Sequence, residues 1–164
     1  MTATFGEVSR PMPDPSRRAV LALMATALAA CGTRDRSDRS DRATADGPAE
    51  INRLITSYAR LYDLPEDLIH RVVQRESGYN PAARNGPYYG LMQILPQTAQ
   101  TMGFRGTPTD LLDADTNLRY GAKYLRGAWM VSGGNRDEAV MWYARGYYYE
   151  AKRMGLLAET GLRT

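Results

Sequence analysis

The chain of 164 residues has one cysteine, Cys31, and one histidine, His70. A single cysteine cannot form an intramolecular disulfide, and one cysteine with one histidine cannot complete a Cys/His zinc site. A Ser–His–Asp or Cys–His catalytic arrangement would need His70 as its base. Because His70 is followed by Arg71 and lies among charged residues, we expect it at an exposed helix position. We therefore predict a protein without a metal or another cofactor.

The sequence also lacks a strong excess of charge and a hydrophobic run of membrane-spanning length. Its formal net charge is +3, and no interleaving of aromatic and basic residues is found. We therefore predict no nucleic-acid partner. The apolar run at residues 19–30 is too short for a bilayer-spanning helix, which takes about 20 residues. Hydrophobic residues make up 43% of the chain, which is enough to build a folded core.

Residues 1–30 are typical of a secretory signal peptide, since Arg17-Arg18 precede a short apolar run that ends in small residues. The segment Leu28-Ala29-Ala30-Cys31 resembles a bacterial lipobox, in which Cys31 is acylated and becomes the first residue of the mature protein. This interpretation predicts a periplasmic lipoprotein anchored in the outer membrane of a Gram-negative host. Ordinary cleavage after Ala27-Leu28-Ala29 is the alternative, and the arginine pair also resembles a twin-arginine signal.

The rest of the chain divides into a tether and a helical domain. Residues 31–48 include an Arg/Asp/Ser-rich stretch without apolar side chains and are predicted to be a disordered tether. Residues 49–164 have helical periodicity and no convincing strand pattern, so we predict a mainly α domain. The predicted helices cover about residues 49–62, 65–77, 96–102, 117–131, 139–146 and 147–154.

Particular side chains are expected to be buried on the apolar faces of these helices or to cap their N-termini. Leu61 is placed on the apolar face of the first helix, and Trp129 on that of the fourth. Asp115 or Thr116 is expected to cap the fourth helix and Asp137 the fifth.

Glu76 lies on the apolar face of the second predicted helix, whose other members are Ile69, Val72 and Val73. Gly78 can end this helix in a left-handed conformation. Burial and the negative end of the helix dipole would both raise the pKa of Glu76, which favours the protonated acid that a glycosidase needs. The alternative is a glutamate that faces water at a frayed helix end, or one paired with Arg75 or Arg84.

Four ordered blocks of the sequence resemble the soluble lytic transglycosylases, over about residues 49–155. They are Glu76-Ser77-Gly78-Tyr79-Asn80-Pro81, Gly90-Leu91-Met92-Gln93-Ile94-Leu95-Pro96-Gln97-Thr98-Ala99, Asn117-Leu118 with Gly121-Ala122-Lys123-Tyr124-Leu125, and Tyr143-Ala144-Arg145-Gly146. The fourth block departs from the family's Tyr-Asn-Ala-Gly, because Ala144 replaces the asparagine. Tyr88-Tyr89 also occupy positions where the family often has small residues.

The resemblance implies a lysozyme-like helical fold and cleavage of the β-1,4 bond between N-acetylmuramic acid and N-acetylglucosamine. Peptidoglycan strands would be the partner of a monomeric carbon–oxygen lyase. Glu76 would be the single acid/base, and the C6 hydroxyl of muramic acid would replace water to form a 1,6-anhydro ring. Most glycosidases use two carboxylates; in this family the N-acetyl group of the substrate substitutes for the second. The nearest candidates for a second carboxylate are Asp110, Asp113 and Asp115, assigned to the loop before the fourth helix.

The resemblance also implies four substrate-binding residues beside the acid. Ser77 would hydrogen-bond near the acid or the N-acetyl group, or else expose an ordinary helix-end hydroxyl. Gln93 would bind sugar, or else satisfy loop backbone. Met92 would line the sugar groove or fill the core. Tyr143 would point its hydroxyl toward Glu76 or the N-acetyl group, or else be a core aromatic. Two other functions stay open: a lysozyme-like muramidase that uses water, and a non-catalytic murein-binding scaffold.

Overall fold

The computed structural model describes residues 48–162. The predicted signal peptide, Cys31 and all of the predicted tether except Pro48 lie outside the described residues. Within residues 48–162, none of the helices has both the length and the hydrophobicity needed to cross a membrane.

The described part of the chain is mainly α-helical, which confirms the predicted fold class. The helices are α1 (Ala49–Tyr62), α2 (Glu66–Ser77), α3 (Pro96–Thr101), α4 (Ala114–Val131), α5 (Arg136–Arg145) and α6 (Tyr148–Met154), and a 3-10 helix covers Pro108–Leu112. The strands β1 (Arg84–Asn85) and β2 (Tyr88–Tyr89) form an antiparallel hairpin that the sequence did not predict. Each strand has two residues, which is too short for an alternating pattern to be recognised.

Two helices, α4 and α5, begin three residues earlier than expected. Helix α4 begins after Asp113, whose Oδ1 accepts a hydrogen bond of 2.8 Å from the Thr116 N–H. Helix α5 is capped by Asn135, whose Oδ1 accepts hydrogen bonds from the N–H groups of Asp137 and Glu138. The predicted caps at Asp115, Thr116 and Asp137 were therefore wrong. Several suitable polar residues adjoin each boundary, and the choice among them depends on where the whole helix packs.

The core forms around α4, which packs against α1, α3, α5 and α6. Its fully buried side chains include Ile55, Leu68, Ile69, Leu91, Leu118 and Leu125. Trp129 is only partly buried, and Leu61 is 66% exposed, so the expectation for Leu61 was wrong. At 3.6 residues per turn, Leu61 lies about 120° around α1 from the buried Ile55. It therefore falls at the edge of the apolar face.

His70 is fully buried, which contradicts the exposed position expected for it. Its Nδ1 lies 2.8 Å from the Tyr79 hydroxyl, and its Nε2 lies 3.7 Å from Oε1 of Glu66. Tyr79 follows the end of α2 and is itself buried, so it covers a side of α2 that would otherwise face water. The charged neighbours of His70 in the sequence led us to expect an exposed side chain. That expectation was wrong because Tyr79, which lies beyond the end of α2, packs against His70.

Candidate active site

Glu76 lies in the last turn of α2, next to a sharp reversal of the chain. Gly78 caps the helix at φ 56°, and Tyr79 continues the left-handed conformation at φ 64°. The Glu76 side chain is 24% exposed, so the prediction that it lies toward the core is supported. Burial raises the pKa of its carboxyl, and Arg75, whose Nε lies 3.6 Å from Oε1, opposes this rise. The acid is therefore held partly out of water and stays accessible to a ligand.

Ser77 connects the end of α2 to the loop of residues 90–95. Its hydroxyl donates to the Leu91 carbonyl at 2.8 Å, and the Val73 carbonyl lies 3.2 Å away as a second acceptor. A hydroxyl has one proton to donate, and the shorter contact is to Leu91. In this structure Ser77 therefore fixes the loop beside Glu76 by a backbone hydrogen bond.

Tyr143, on α5, fixes the same loop from the opposite helix. Its ring is almost fully buried, and its hydroxyl donates to the Met92 carbonyl at 2.8 Å. Burial raises the pKa of the Tyr143 hydroxyl well above its usual value, with smaller contributions from Glu76 and Tyr124. Tyr143 is therefore a neutral hydrogen-bonding group whose hydroxyl lies within the electrostatic influence of the Glu76 carboxyl.

Asn117, on α4, holds the loop of residues 90–95 through buried hydrogen bonds. It was not recognised as a site residue in the sequence. Its amide nitrogen donates to the carbonyls of Tyr89 and Leu111, both at 2.7 Å, and its Oδ1 accepts from the Met92 N–H at 2.8 Å. Asn117 is fully buried. A buried asparagine beside the apolar face of a helix was the available signal, because such a group needs partners.

Met92 and Gln93 differ in their relation to the surface. The Met92 side chain is fully buried, and a Cβ added to Gly121 would approach its sulfur to 2.6 Å. Met92 therefore fills the core and does not line a groove. Gln93 has φ 45°, and its amide nitrogen donates to the carbonyls of Ala83 and Gly90 at 3.1 and 2.9 Å. Gln93 thus satisfies loop backbone and also lines the adjoining cavity.

A cavity of about 310 Å³ opens beside this loop. It is lined by Tyr88, Gln93, Ile94, Leu95, Thr98, Tyr124, Tyr143, Ala144, Arg145 and Gly146. Of the departures from the family pattern, Tyr88 and Ala144 line this cavity, and Tyr89 is buried outside it. Glu76 is not among the lining residues; Tyr143 is the lining residue whose hydroxyl has its pKa raised in part by the Glu76 carboxyl.

The three candidate second carboxylates have other partners. Asp110 accepts from the Thr107 N–H at 2.7 Å, and Asp113 caps α4. Asp115 accepts from the Tyr58 hydroxyl at 2.7 Å and pairs with Arg119 at 3.0 Å. Among the described residues, Arg75 is the one charged group that shifts the pKa of Glu76. Residues 48–162 also contain no cluster of three or more Cys, His, Asp or Glu side chains that could hold a metal ion.

Comparison with known proteins gives matches over the same region. Residues 53–155 match the family model described as transglycosylase SLT domain. The soluble lytic murein transglycosylase of Salmonella typhimurium is 33% identical over 107 residues, which are 60% of this chain and 16% of that protein. The soluble lytic murein transglycosylase of Escherichia coli K12 is 30% identical over 96 residues, 54% of this chain and 15% of that protein. The chain thus spans only a small part of the length of these relatives.

Proposed function

Since the chain belongs to the transglycosylase SLT domain family, we propose that it cleaves peptidoglycan by the lytic transglycosylase reaction. The bond broken is the β-1,4 linkage between N-acetylmuramic acid and N-acetylglucosamine, and the product ends in a 1,6-anhydro ring. The observation that carries this proposal is the half-buried Glu76 with a raised pKa and no carboxylate among the groups that shift it. A single acid of this kind suits a reaction in which the substrate supplies the nucleophile.

In the proposed reaction Glu76 acts twice. The protonated carboxyl first donates to the glycosidic oxygen as the bond to C1 of muramic acid breaks. The N-acetyl group of the same sugar stabilises the positive charge that develops at C1. The Glu76 carboxylate then removes the proton of the C6 hydroxyl while the C6 oxygen forms a bond to C1. Glu76 ends protonated, no water is consumed, and one residue serves as general acid and then as general base.

The other site residues divide into two proposed roles. Gln93 and Tyr143 line the cavity, so we assign sugar contacts to them. Ser77 and Tyr143 hydrogen-bond to the loop of residues 90–95 and thereby position it against Glu76. The side chain of Met92 has no direct contact with substrate in this proposal, because it is buried. Its backbone carbonyl and N–H hold the loop instead.

Peptidoglycan lies outside the cytoplasm, so the proposed reaction requires export. We propose that the protein acts in the periplasm as a monomer, anchored to the outer membrane by acylated Cys31. The lipobox-like segment supports this placement.

The products of a digest in ¹⁸O water test the proposed reaction. Ring closure gives muropeptides one water lighter than hydrolysis products, without ¹⁸O, and mass spectrometry of products from purified sacculi measures both. Reducible, ¹⁸O-labelled ends would show a lysozyme-like muramidase instead. Binding to sacculi without any soluble product would show a murein-binding scaffold.

A further inference from the structure

Arg145 is the one charged residue among the described residues that line the cavity. The others are tyrosines, aliphatic residues, glycine, threonine and glutamine. A lone positive charge in a neutral, partly apolar concavity raises the affinity of the site for an anionic group.

The guanidinium of Arg145 has no acidic partner in the described part of the chain. Its recorded contact is from Nη1 to the Met141 sulfur at 3.5 Å, and a thioether is a weak acceptor. The other arginines of α2 and α5, Arg71, Arg75 and Arg136, each lie within 4 Å of a carboxylate, at Asp137, Glu76 and Asp67 respectively. Arg145 is exposed and its donors are available to a ligand.

The position of Arg145 at the end of α5 has a purely structural explanation, since a cation stabilises the negative end of a helix. That explanation accounts for a positive charge in the last turn. It does not account for the placement of this side chain in the wall of the cavity, two residues from Tyr143, whose pKa the Glu76 carboxyl helps to raise.

We infer that Arg145 is a specificity-determining residue that binds a carboxylate of the glycan substrate beside Glu76. This inference rests on the proposed function. The sugar rings carry no charge, so the carboxylate comes from a peptide stem or, where the stem has been removed, from the lactyl group of muramic acid. The planar guanidinium binds a carboxylate by two parallel hydrogen bonds, which fixes orientation as well as position.

The experiment uses three forms of one glycan-strand preparation with the full-length protein. The first has native peptide stems, the second has stem carboxylates converted to methylamides, and the third has been stripped of stems by an amidase and carries lactyl carboxylates. Binding is measured by co-sedimentation and cleavage by kcat/KM, for wild type, Arg145→Gln and Arg145→Lys. Arg53→Gln, an exposed change of the same charge on α1, is the matched control.

Arg145→Gln should weaken binding and lower kcat/KM about tenfold on native strands, the low end for a charged hydrogen-bonded pair because the site is open to water. It should have almost no effect on methylamidated strands, and Arg145→Lys should recover part of the loss. Because the lactyl carboxylate is amide-bound in native strands, a loss there that methylamidation abolishes identifies a stem carboxylate, and a further loss on stripped strands shows that Arg145 also binds the freed lactyl carboxylate. An equal loss on native and methylamidated strands, or the same loss in Arg53→Gln, would overturn the inference. If the wild-type protein binds glycan strands but cleaves none of them, the proposed function is wrong. The binding measurements on the three strand preparations then still test the role of Arg145.

Discussion

At the residue scale, we expect substitution of Glu76 to have the largest effect on cleavage. Glu76→Gln keeps the size of the side chain but can neither donate a proton nor accept one. We expect murein cleavage to fall by about 10²–10⁴-fold, toward the upper end because one group performs both steps. Turbidity loss of a sacculus suspension measures the rate, and Glu138→Gln, an exposed glutamate on α5, is the control. A folded Glu76→Gln protein that clears sacculi at the wild-type rate would contradict the assignment.

The same substitution should leave stability unchanged or raise it at neutral pH. Burial raises the pKa of Glu76, so the stability associated with its neutral form is present at low pH and is lost as pH rises through that pKa. Glutamine stays neutral at every pH and avoids this loss. Thermal unfolding followed by circular dichroism at pH 7 measures the difference, and a much lower Tm for Glu76→Gln would show that the carboxylate stabilises the fold.

His70 should make the protein less stable as the pH falls. Burial lowers the pKa of His70 below its ordinary value of 6.5, although Glu66 and Asp67 oppose the shift. The unfolded chain therefore binds a proton first, and stability decreases as pH falls from about 6.5 toward the lowered pKa. We expect this slope in wild type and a flatter curve in His70→Gln.

Urea unfolding between pH 5 and 7 measures the effect of His70, and the slope is compared rather than the absolute stability. Both proteins should carry Glu76→Gln, because Glu76 contributes a slope of the opposite sign. His70 is the one histidine of the chain, so no other imidazole contributes. An identical slope with and without His70 would contradict the expectation.

At the scale of elements, the site depends on how α2, α4 and α5 hold the loop of residues 90–95. A Cβ added to Gly90 would lie 2.3 Å from the Asn117 amide nitrogen and from the Leu111 carbonyl, and Gly90 has φ 73°. Gly133 has a similar φ of 59° with nothing within 4 Å of an added Cβ. Gly133→Ala should therefore cost only the backbone penalty of about 1–2 kcal/mol.

Gly90→Ala should cost at least about 2 kcal/mol more than Gly133→Ala, because it also displaces the buried hydrogen bonds of Asn117. Since those bonds hold the loop next to Glu76, cleavage by any folded fraction should fall as well. Equilibrium urea unfolding of both variants measures the difference. Equal costs in the two variants would show that the loop yields without breaking its connection to α4.

At the scale of the whole molecule, the sequence predicts that residues 1–47 direct and anchor the domain; these residues, Cys31 among them, lie outside the described part of the chain. We expect a palmitate analogue supplied to cells to label the wild type and not Cys31→Ala, because the lipobox-like segment makes Cys31 the acylated residue. Labelled protein should fractionate with the outer membrane. Labelling that persists in Cys31→Ala, or no labelling of either protein, would support ordinary cleavage and a free cysteine.

The sequence by itself determined the features that depend on neighbours along the chain. The apolar spacing of Ile69, Val72 and Val73 predicted the face on which Glu76 lies, because helix geometry repeats over a few residues. Gly78 predicted the end of α2, since few other residues adopt its φ readily. The order of the four motif blocks led to the family, and the family match over residues 53–155 confirms that resemblance.

Only the tertiary structure decided which side chains are covered and which share a surface. His70 is buried because Tyr79 folds over α2, and Leu61 is exposed because it lies at the edge of the apolar face of α1. Arg145 shares a cavity with Tyr88, although more than fifty positions separate them in the chain. Burial and cavities arise from packing between segments that are distant in the chain. Local sequence patterns therefore predict the helices and the position of Glu76, but they do not predict which side chains surround it.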